Sequence, residues 1–459
     1  LKDHSGYWID MRWASKWVLK SNTEKIKMHR NYIIIFALVF LKSIVLAQDI
    51  SLLHLRGHMP GIFLNPGLKL DKKFNLSLGA IDANIGTDGP SIDEMTSKNA
   101  AGKRIIDIQK LNDGLDPHHN IWVGTNIQTI SMSFNLGGWV LMGGHGHRTT
   151  ANIKYPKGLI EIASQGNAAF VGQNVQIGPS IDLLSYNELC LGLQKTQGKF
   201  TVGAKGKLLF GTAGATTERS DITILTDDEY YQLTLTNNYT IRSSSFLKYN
   251  SLDSITADLP TFTFDNLFYN NRGFAFDLGV SFQITDDLTL SASALDIGSI
   301  DWDFTPRKYI SNGTFVFEGL DIQDFIDGNS EEIFKDSLLG LIKVQSSLEN
   351  FNTPLNPTFS LGASYQLGKT WTFHGLYMRR SNFEDIRNTL SLMAVARIGI
   401  LDIGAQYHLA KNNYASLGLF SNLKLGPVGL YLASDNIGAI IQPLTQKNIS
   451  LRLGATLRL

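Results

Sequence analysis

The chain has 459 residues, formal net charge zero and a pI near 7.3, which removes the electrostatic case for nucleic acid or a strongly acidic partner. Hydrophobic residues make up 43%, yet the mean hydropathy is only -0.04, lower than a bundle of membrane-crossing helices would give. A membrane barrel hides its apolar band in alternation and averages out as soluble, and the 42 Gly, 12 Pro, 25 Phe and 15 Tyr suit strands, tight turns and aromatic girdles.

Residues 1–27 read as an upstream leader outside the fold. Residues 28–47 read as a signal peptide: Met28-His29-Arg30-Asn31 is basic, Tyr32 to Leu41 is apolar, and Val45-Leu46-Ala47 is a small-residue cleavage site before Gln48. Lys42 leaves the apolar run too short for a stable spanning helix. Residues 48–73 lack alternation and carry the turn signals Met59-Pro60-Gly61 and Leu64-Asn65-Pro66-Gly67. This segment is expected to be an N-terminal plug in a barrel lumen, with Asn65 and Pro66 as its candidate residues; the alternative is a periplasmic tail. Ile62, Phe63 and Leu64 favour burial.

From Phe74 to Leu459 the pattern is one of alternating strands. In Thr358 to Leu367 and in Ile449 to Leu459, apolar residues occupy one face and polar or small ones the other, the period of a strand. Segments of about ten residues match a lipid-crossing strand. Short turns are read at Leu136-Gly137-Gly138, Thr196 to Lys199, Thr285-Asp286-Asp287, Leu367-Gly368-Lys369, Gly399-Ile400-Leu401 and Leu425-Gly426-Pro427. With the first and last strands these predict an all-β, antiparallel transmembrane barrel of about 14 strands. The runs Asp221 to Leu225 and Tyr230 to Ile241 leave open an alternative of 16.

A cation at mid-bilayer costs roughly 2–4 kcal/mol, so charges on alternating strands must face inward. The candidate lumen-facing residues are Lys205, Lys207, Asp277, Arg397, Asp402, His408, Arg452 and Arg458, while Trp371, Phe373 and Tyr377 fall on an outer face. Residues 86–119, 151–172, 217–270 and 301–356 read as external loops, with helix-compatible runs at Lys103 to Lys110 and Ser330 to Leu348. The triplets Asn84-Ile85-Gly86, Asp296-Ile297-Gly298 and Asn436-Ile437-Gly438 read as bends at outer strand ends.

His145 and His147 are spaced to share a strand face, but no third ligand is visible near them, so they read as rim histidines and no metal or other cofactor is expected. Cys190 is the single cysteine, which excludes an internal disulfide, and it reads as a small strand residue. No phosphate loop or nucleophile elbow occurs. His374, His408 and Asp402 are accounted for as lumenal polar groups, so the chain is not expected to be an enzyme.

The Phe63-Leu64-Asn65-Pro66 element, Phe200 to Lys205 after a Gly-Lys turn, Ala294 to Gly298 and the terminal meander carry a family likeness. The chain resembles uncharacterised outer-membrane barrels of Bacteroidota, themselves similar to the PorP/SprF proteins of type IX secretion. A more distant likeness is to fatty-acid channel barrels, which place an N-terminal hatch with a similar Asn-Pro element inside fourteen strands. The resemblance implies the outer membrane of a Gram-negative bacterium, contact with outer-membrane lipid, and a structural or assembly role with envelope or secretion proteins as partners. The alternative is a plugged channel for small or hydrophobic solutes.

Overall fold

The computed structural model describes residues 59–459 except 71, 101, 252–253, 258–264, 266–267, 318–342, 384 and 411–412. The expected leader, the signal peptide, residues 48–58 and most of the helix expected over Ser330 to Leu348 lie outside the described residues.

Fourteen antiparallel strands close into a barrel. They are β1 (Phe74–Thr87), β2 (His118–Leu136), β3 (Trp139–Pro156), β4 (Ser180–Gln197), β5 (Phe200–Thr226), β6 (Arg272–Gln283) and β7 (Leu288–Trp302), followed by β8 (Thr358–Leu367), β9 (Trp371–Asn382), β10 (Asp385–Ile398), β11 (Leu401–Ala410), β12 (Asn413–Leu425), β13 (Val428–Ser434) and β14 (Asn448–Arg458). Each pairs with the next, and β14 returns to β1, with Asn75 opposite Arg458 and Gly86 opposite Asn448. Closure pairs every strand on both sides, so no edge of free N–H and C=O groups faces hydrocarbon.

The tight turns read from the sequence all lie at one end of the barrel. Gly399 (φ 61°) and Gly426 (φ 63°) hold the left-handed positions that such short turns demand and that a Cβ would strain. The other end carries the long connections. There β5 continues through Thr226 and folds back as Leu233–Ser244, which pairs with Pro306–Phe317 and that in turn with Lys343–Ser347. The two runs that left a 16-stranded barrel open therefore form a sheet rising beyond it. Their side chains explain why: Arg219 and Asp221 are paired with each other and largely exposed to water, a state lipid would not tolerate.

Two expected helices change. Arg104–Ile106 pairs as a strand with Thr96–Lys98, and the helix starts only at Ile108, where the Asp107 carboxylate accepts the Lys110 N–H at 3.3 Å. An Asx cap fixes a helix start more firmly than the spacing of the preceding apolar residues. The described end of the second run, Lys343–Ser347, is a strand, because the edge of Pro306–Phe317 offers it backbone partners.

Outside, the barrel presents an apolar belt that includes Leu191, Phe274, Leu361, Phe373 and Leu430, all exposed. Trp371 and Tyr377 share that outer face. Leu191 is 72% exposed midway along β4. Leu191→Lys is expected to cost about 2–4 kcal/mol in lipid, read as a lower urea midpoint for the barrel refolded in vesicles; an unchanged midpoint would contradict a lipid-facing position.

Candidate functional site

The lumen is built by alternation interrupted at a few bulges. In β1 the register slips between Leu78 and Ile81, where Gly79 has φ 61°, so Asn75 and Ser77 point inward below the slip and Asp82 above it. In β2 the slip at Thr129 turns both Gln128 and Ser131 inward. In β7 a bulge sets Asp296 at φ 60°. Each bulge inserts a residue and reverses which parity faces the lumen.

The half of the lumen nearer the tight turns holds Met59–Leu70. A short helix, α1 (Met59–Leu64), is buried at every residue, and Met59, Ile62, Phe63, Leu68 and Leu70 pack with Val140, Met142 and Cys190 of the wall. Candidates Asn65 and Pro66 form the turn that follows, where Asn65 Oδ1 accepts the Gly67 N–H at 2.8 Å. The wall holds this segment largely through its main chain. Gln194 donates to the carbonyls of Pro66 (2.6 Å) and Leu68 (2.9 Å), Ser281 to Gly67 (2.6 Å), Ser293 to Leu64 (3.1 Å) and Lys205 to Phe63 (2.9 Å). Shape completes the seat. Gly203 and Gly279 face each other across β5 and β6, and a Cβ there would lie 2.0 Å from the Pro66 carbonyl and 2.1 Å from Asn65 Oδ1. A Cβ on Gly144 would meet the Phe63 ring at 2.9 Å.

Above this seat lies a cluster of buried charges. Asp277 bridges Lys205 (2.9 Å) and Lys207 (2.8 Å), Lys207 reaches Asp296, and Arg148 holds Asp296 (2.9 Å) and Glu188 (3.2 Å). The Asp296 N–H also donates to Asp277 at 2.8 Å. Three cations and three carboxylates from β3 to β7 balance, as charges withdrawn from water must. Lys205 also stands over the Phe63 ring, 4.6 Å from its centroid, so the cluster and the seated segment share a residue.

The remaining candidates form separate groups on the far wall. Arg452, fully buried, holds Asp82 at 3.4 Å and Asp435 at 3.0 Å, and His408 faces Asp435 at 3.4 Å. Asp402 belongs elsewhere: it pairs with Lys424 at 2.7 Å, although sequence proximity suggested His408. Arg397, opposite Asp402 across β10 and β11, shares the parity of buried Met393 and Val395 but lies exposed near the turn end. Arg458, half-buried, follows the inward parity of Arg452 and Thr456 at the end of β14.

Other expectations resolve locally. Asp296-Ile297-Gly298 does not end a strand; β7 runs on to Trp302, because the bulge absorbs the bend within the sheet. His145 bonds Thr129 and His147 bonds Asn187, at 2.7 and 3.0 Å. Among the described residues no three His, Cys, Asp or Glu side chains converge as metal ligands.

In the half nearer the long connections the lumen opens into a cavity with about 110 Å³ of space for water, where Asn84, Asn126, Thr358, Asn382, Arg148, Arg380 and Arg387 share the lining with apolar groups such as Trp122, Leu184 and Met378. Trp122 of β2 and Arg387 of β10 meet at this cavity, the guanidinium 3.6 Å from the ring centroid. Gly86 makes room for the indole: a Cβ there would lie 2.3 Å from it.

A family model described as a family of unknown function, DUF5723, matches residues 66–435, from the Asn65-Pro66 turn to the last residues before the β13–β14 loop. The chain belongs to DUF5723. No curated protein matches it. Among solved structures, this DUF5723 barrel is similar to the toluene transporter TbuX of Ralstonia pickettii, with 10% identity and a TM-score of 0.45 over 87% of this chain and 93% of that one. It is also similar to a FadL homologue of Pseudomonas aeruginosa, with 11% identity and a TM-score of 0.41 over 88% and 94% of the two chains. The toluene transporter TodX of Pseudomonas putida gives 9% identity and 0.40 over 90% and 93%.

Sequence reasoning singled out neither Arg148, Glu188, Asp82 and Asp435 nor the cavity pair Trp122 and Arg387. Glu188 carried a signal, since Tyr186, Glu188, Cys190, Gly192 and Gln194 share one parity of β4. Asp82 and Asp296 gave none, because each depends on a bulge. Asp277→Ala leaves two buried lysines short of a carboxylate and is expected to destabilise the DUF5723 barrel by about 3–5 kcal/mol. The check is chemical denaturation, with a Lys207→Met/Asp277→Ala double variant recovering part of the loss; equal stability of Asp277→Ala and wild type would show the cluster is not closed.

Proposed function

We propose that this protein is a gated channel in the outer membrane of a Gram-negative bacterium, bathed by outer-membrane lipid, with Met59–Leu70 as its plug. The observation that carries this reading is how the segment is held. Main-chain carbonyls of Phe63, Leu64, Pro66, Gly67 and Leu68 are gripped by wall side chains, and the turn lies on the Gly203–Gly279 pair. A structural core would be expected to interlock by side chains throughout. This seat instead combines one apolar cluster with backbone contacts that water can replace at a net cost of about 0.5–1.5 kcal/mol each. It is built to be left and retaken.

The channel reading also explains the cavity beyond the seat, which a purely structural barrel has no need to keep. No catalysis is assigned to the lumen, where the charged groups of the central cluster engage one another and the plug. A second reading, as a structural or assembly component among envelope or secretion proteins, follows from the PorP/SprF resemblance. It draws support from the exterior sheet, where the strand Lys343–Ser347 pairs with Pro306–Phe317 and leaves Gln345, Ser346 and Ser347 exposed. Stoichiometric proteins retained through mild-detergent purification would favour it.

Planar-bilayer conductance tests the channel. The wild type is expected to conduct little, and deletion of 59–70 to open steps of a wide pore. Gly279→Val, which intrudes on the seat without removing the segment, is expected to raise open probability several-fold. Silence from all three proteins, each shown to be folded, would overturn the reading.

A further inference from the structure

One wall strand is too short for its place. β13 has 7 residues, where its neighbours β12 and β14 have 13 and 11, and a lipid-crossing strand needs about 9–11. Its last residue, Ser434, pairs with Leu419, yet β12 runs on to Asn413. The chain after Ser434 covers the shortfall as a loop held against β12. Ser416 Oγ donates to the Asp435 carbonyl at 3.0 Å, and the Ile437 N–H donates to that of Leu417 at 2.8 Å. A one-turn helix, Gly438–Ile441, follows at once.

These bonds set the helix beside the apolar belt. Leu417 is exposed on the outer face, opposite Tyr407 of β11. Leu409 of β11 and Leu390, opposite it on β10, are also exposed and stand a step nearer the long connections. The belt therefore continues past the level at which the helix leaves the wall. From Asn436 to Gln446 the chain carries no charge, whereas other long connections hold ion pairs such as Arg104–Asp93 and Lys157–Glu161. Ile440 and Ile441 are 65% and 70% exposed, and Leu444 is exposed beyond them. Grouped apolar exposure of this kind marks a contact surface, and here it extends one that the barrel already presents.

We propose that the loop of residues 437–444 is a lipid anchor, with Ile440, Ile441 and Leu444 seated among the acyl chains of the leaflet on the side of the long connections. Hydrocarbon offers no hydrogen bonds, so a segment within it must satisfy its own backbone. This one does so at the positions that matter. The N–H groups of Ala439, Ile440, Ile441 and Gln442 all bond carbonyls of residues 436–438, and the Asn436 amide turns to Asn448 Oδ1 at 2.6 Å and Gln446 Oε1 at 3.0 Å. Charge returns only at Lys447, which pairs with Glu94 at 3.1 Å. The proposal rests on the membrane placement of the barrel and not on conduction.

Spin labels report the surroundings of each position. The full chain carries one native thiol, removed by Cys190→Ala. Nitroxides are then placed singly at Ile440→Cys and Ile441→Cys, at Leu432→Cys on the belt, and at Tyr230→Cys, an exposed residue of the outer sheet's turn. Each protein is shown to be folded and reconstituted in phospholipid vesicles, and its label is exposed to oxygen, which concentrates in lipid, and to a water-soluble nickel chelate. The labels at 440 and 441 are expected to match the one at 432, with an oxygen-to-nickel collision ratio several-fold above that at 230. Nickel access at 440 and 441 equal to that at 230, with 432 still lipid-like, would put the loop in water and overturn the proposal while leaving the membrane barrel intact. Shielding of 440 and 441 from both reagents, with dipolar broadening, would show a second copy on the patch and overturn it as well. Free nickel access at 432 would remove the membrane placement itself, and the anchor with it.

Discussion

The balance of charge in the middle of the lumen is the constraint on which the rest of the structure depends. Lys205, Lys207 and Arg148 are drawn out of water into the barrel, and each is held by a carboxylate from a neighbouring strand. Removing charges from solvent is costly unless every partner is in place, so β3 through β7 are tied to a common register. The bulge that sends Asp296 inward belongs to the same requirement. Without it the carboxylate would fall on the opposite face, and Lys207 and Arg148 would share fewer acids than they need.

From that cluster the architecture runs in two directions along the barrel axis. Toward the tight turns, Lys205 extends to the Phe63 carbonyl and ring and so joins the wall to the seated segment Met59–Leu70. That segment is held by backbone and by shape, with the glycines that line its seat placed where side chains would collide with it. Toward the long loops, Arg148 and Asp296 form part of the boundary of the outer cavity, and Trp122 and Arg387 close on each other beside it. Any movement that frees Phe63 must disturb Lys205, and through Asp277 the arrangement of Lys207 and Asp296. This gives the two halves of the lumen a physical connection through one shared set of ion pairs.

Much of this was legible in the sequence, for reasons that concern particular residues. Lys205 and Lys207 announced an inner face because they alternate with Phe200, Val202 and Leu208, and the short turns gave a count of about 14 strands with 16 left open. Asn65-Pro66-Gly67 advertised a turn amid apolar neighbours. What stayed hidden depends on single-residue slips and on distant contact. Gly79 and Asp296 reverse parity, which alternation cannot register, and so concealed Asp82 and misplaced a strand end. Trp122 and Arg387 lie far apart in sequence, and nothing local marks them as partners. Exterior strands such as Lys343–Ser347 resembled part of a helix because the neighbour that pairs with them is remote in the chain.

The native thiol of Cys190 offers the most direct test of a lumen sealed by Met59–Leu70. The residue points inward and is buried against Met59, Ile62, Phe63, Leu68 and Leu70. Labelling of the membrane-embedded protein with a small, charged, membrane-impermeant methanethiosulfonate reports whether water reaches it. Cys190 is expected to resist modification in the wild type and to react readily once residues 59–70 are removed. Rapid modification of the intact protein would show that the seat does not close the barrel and would contradict the account at its centre.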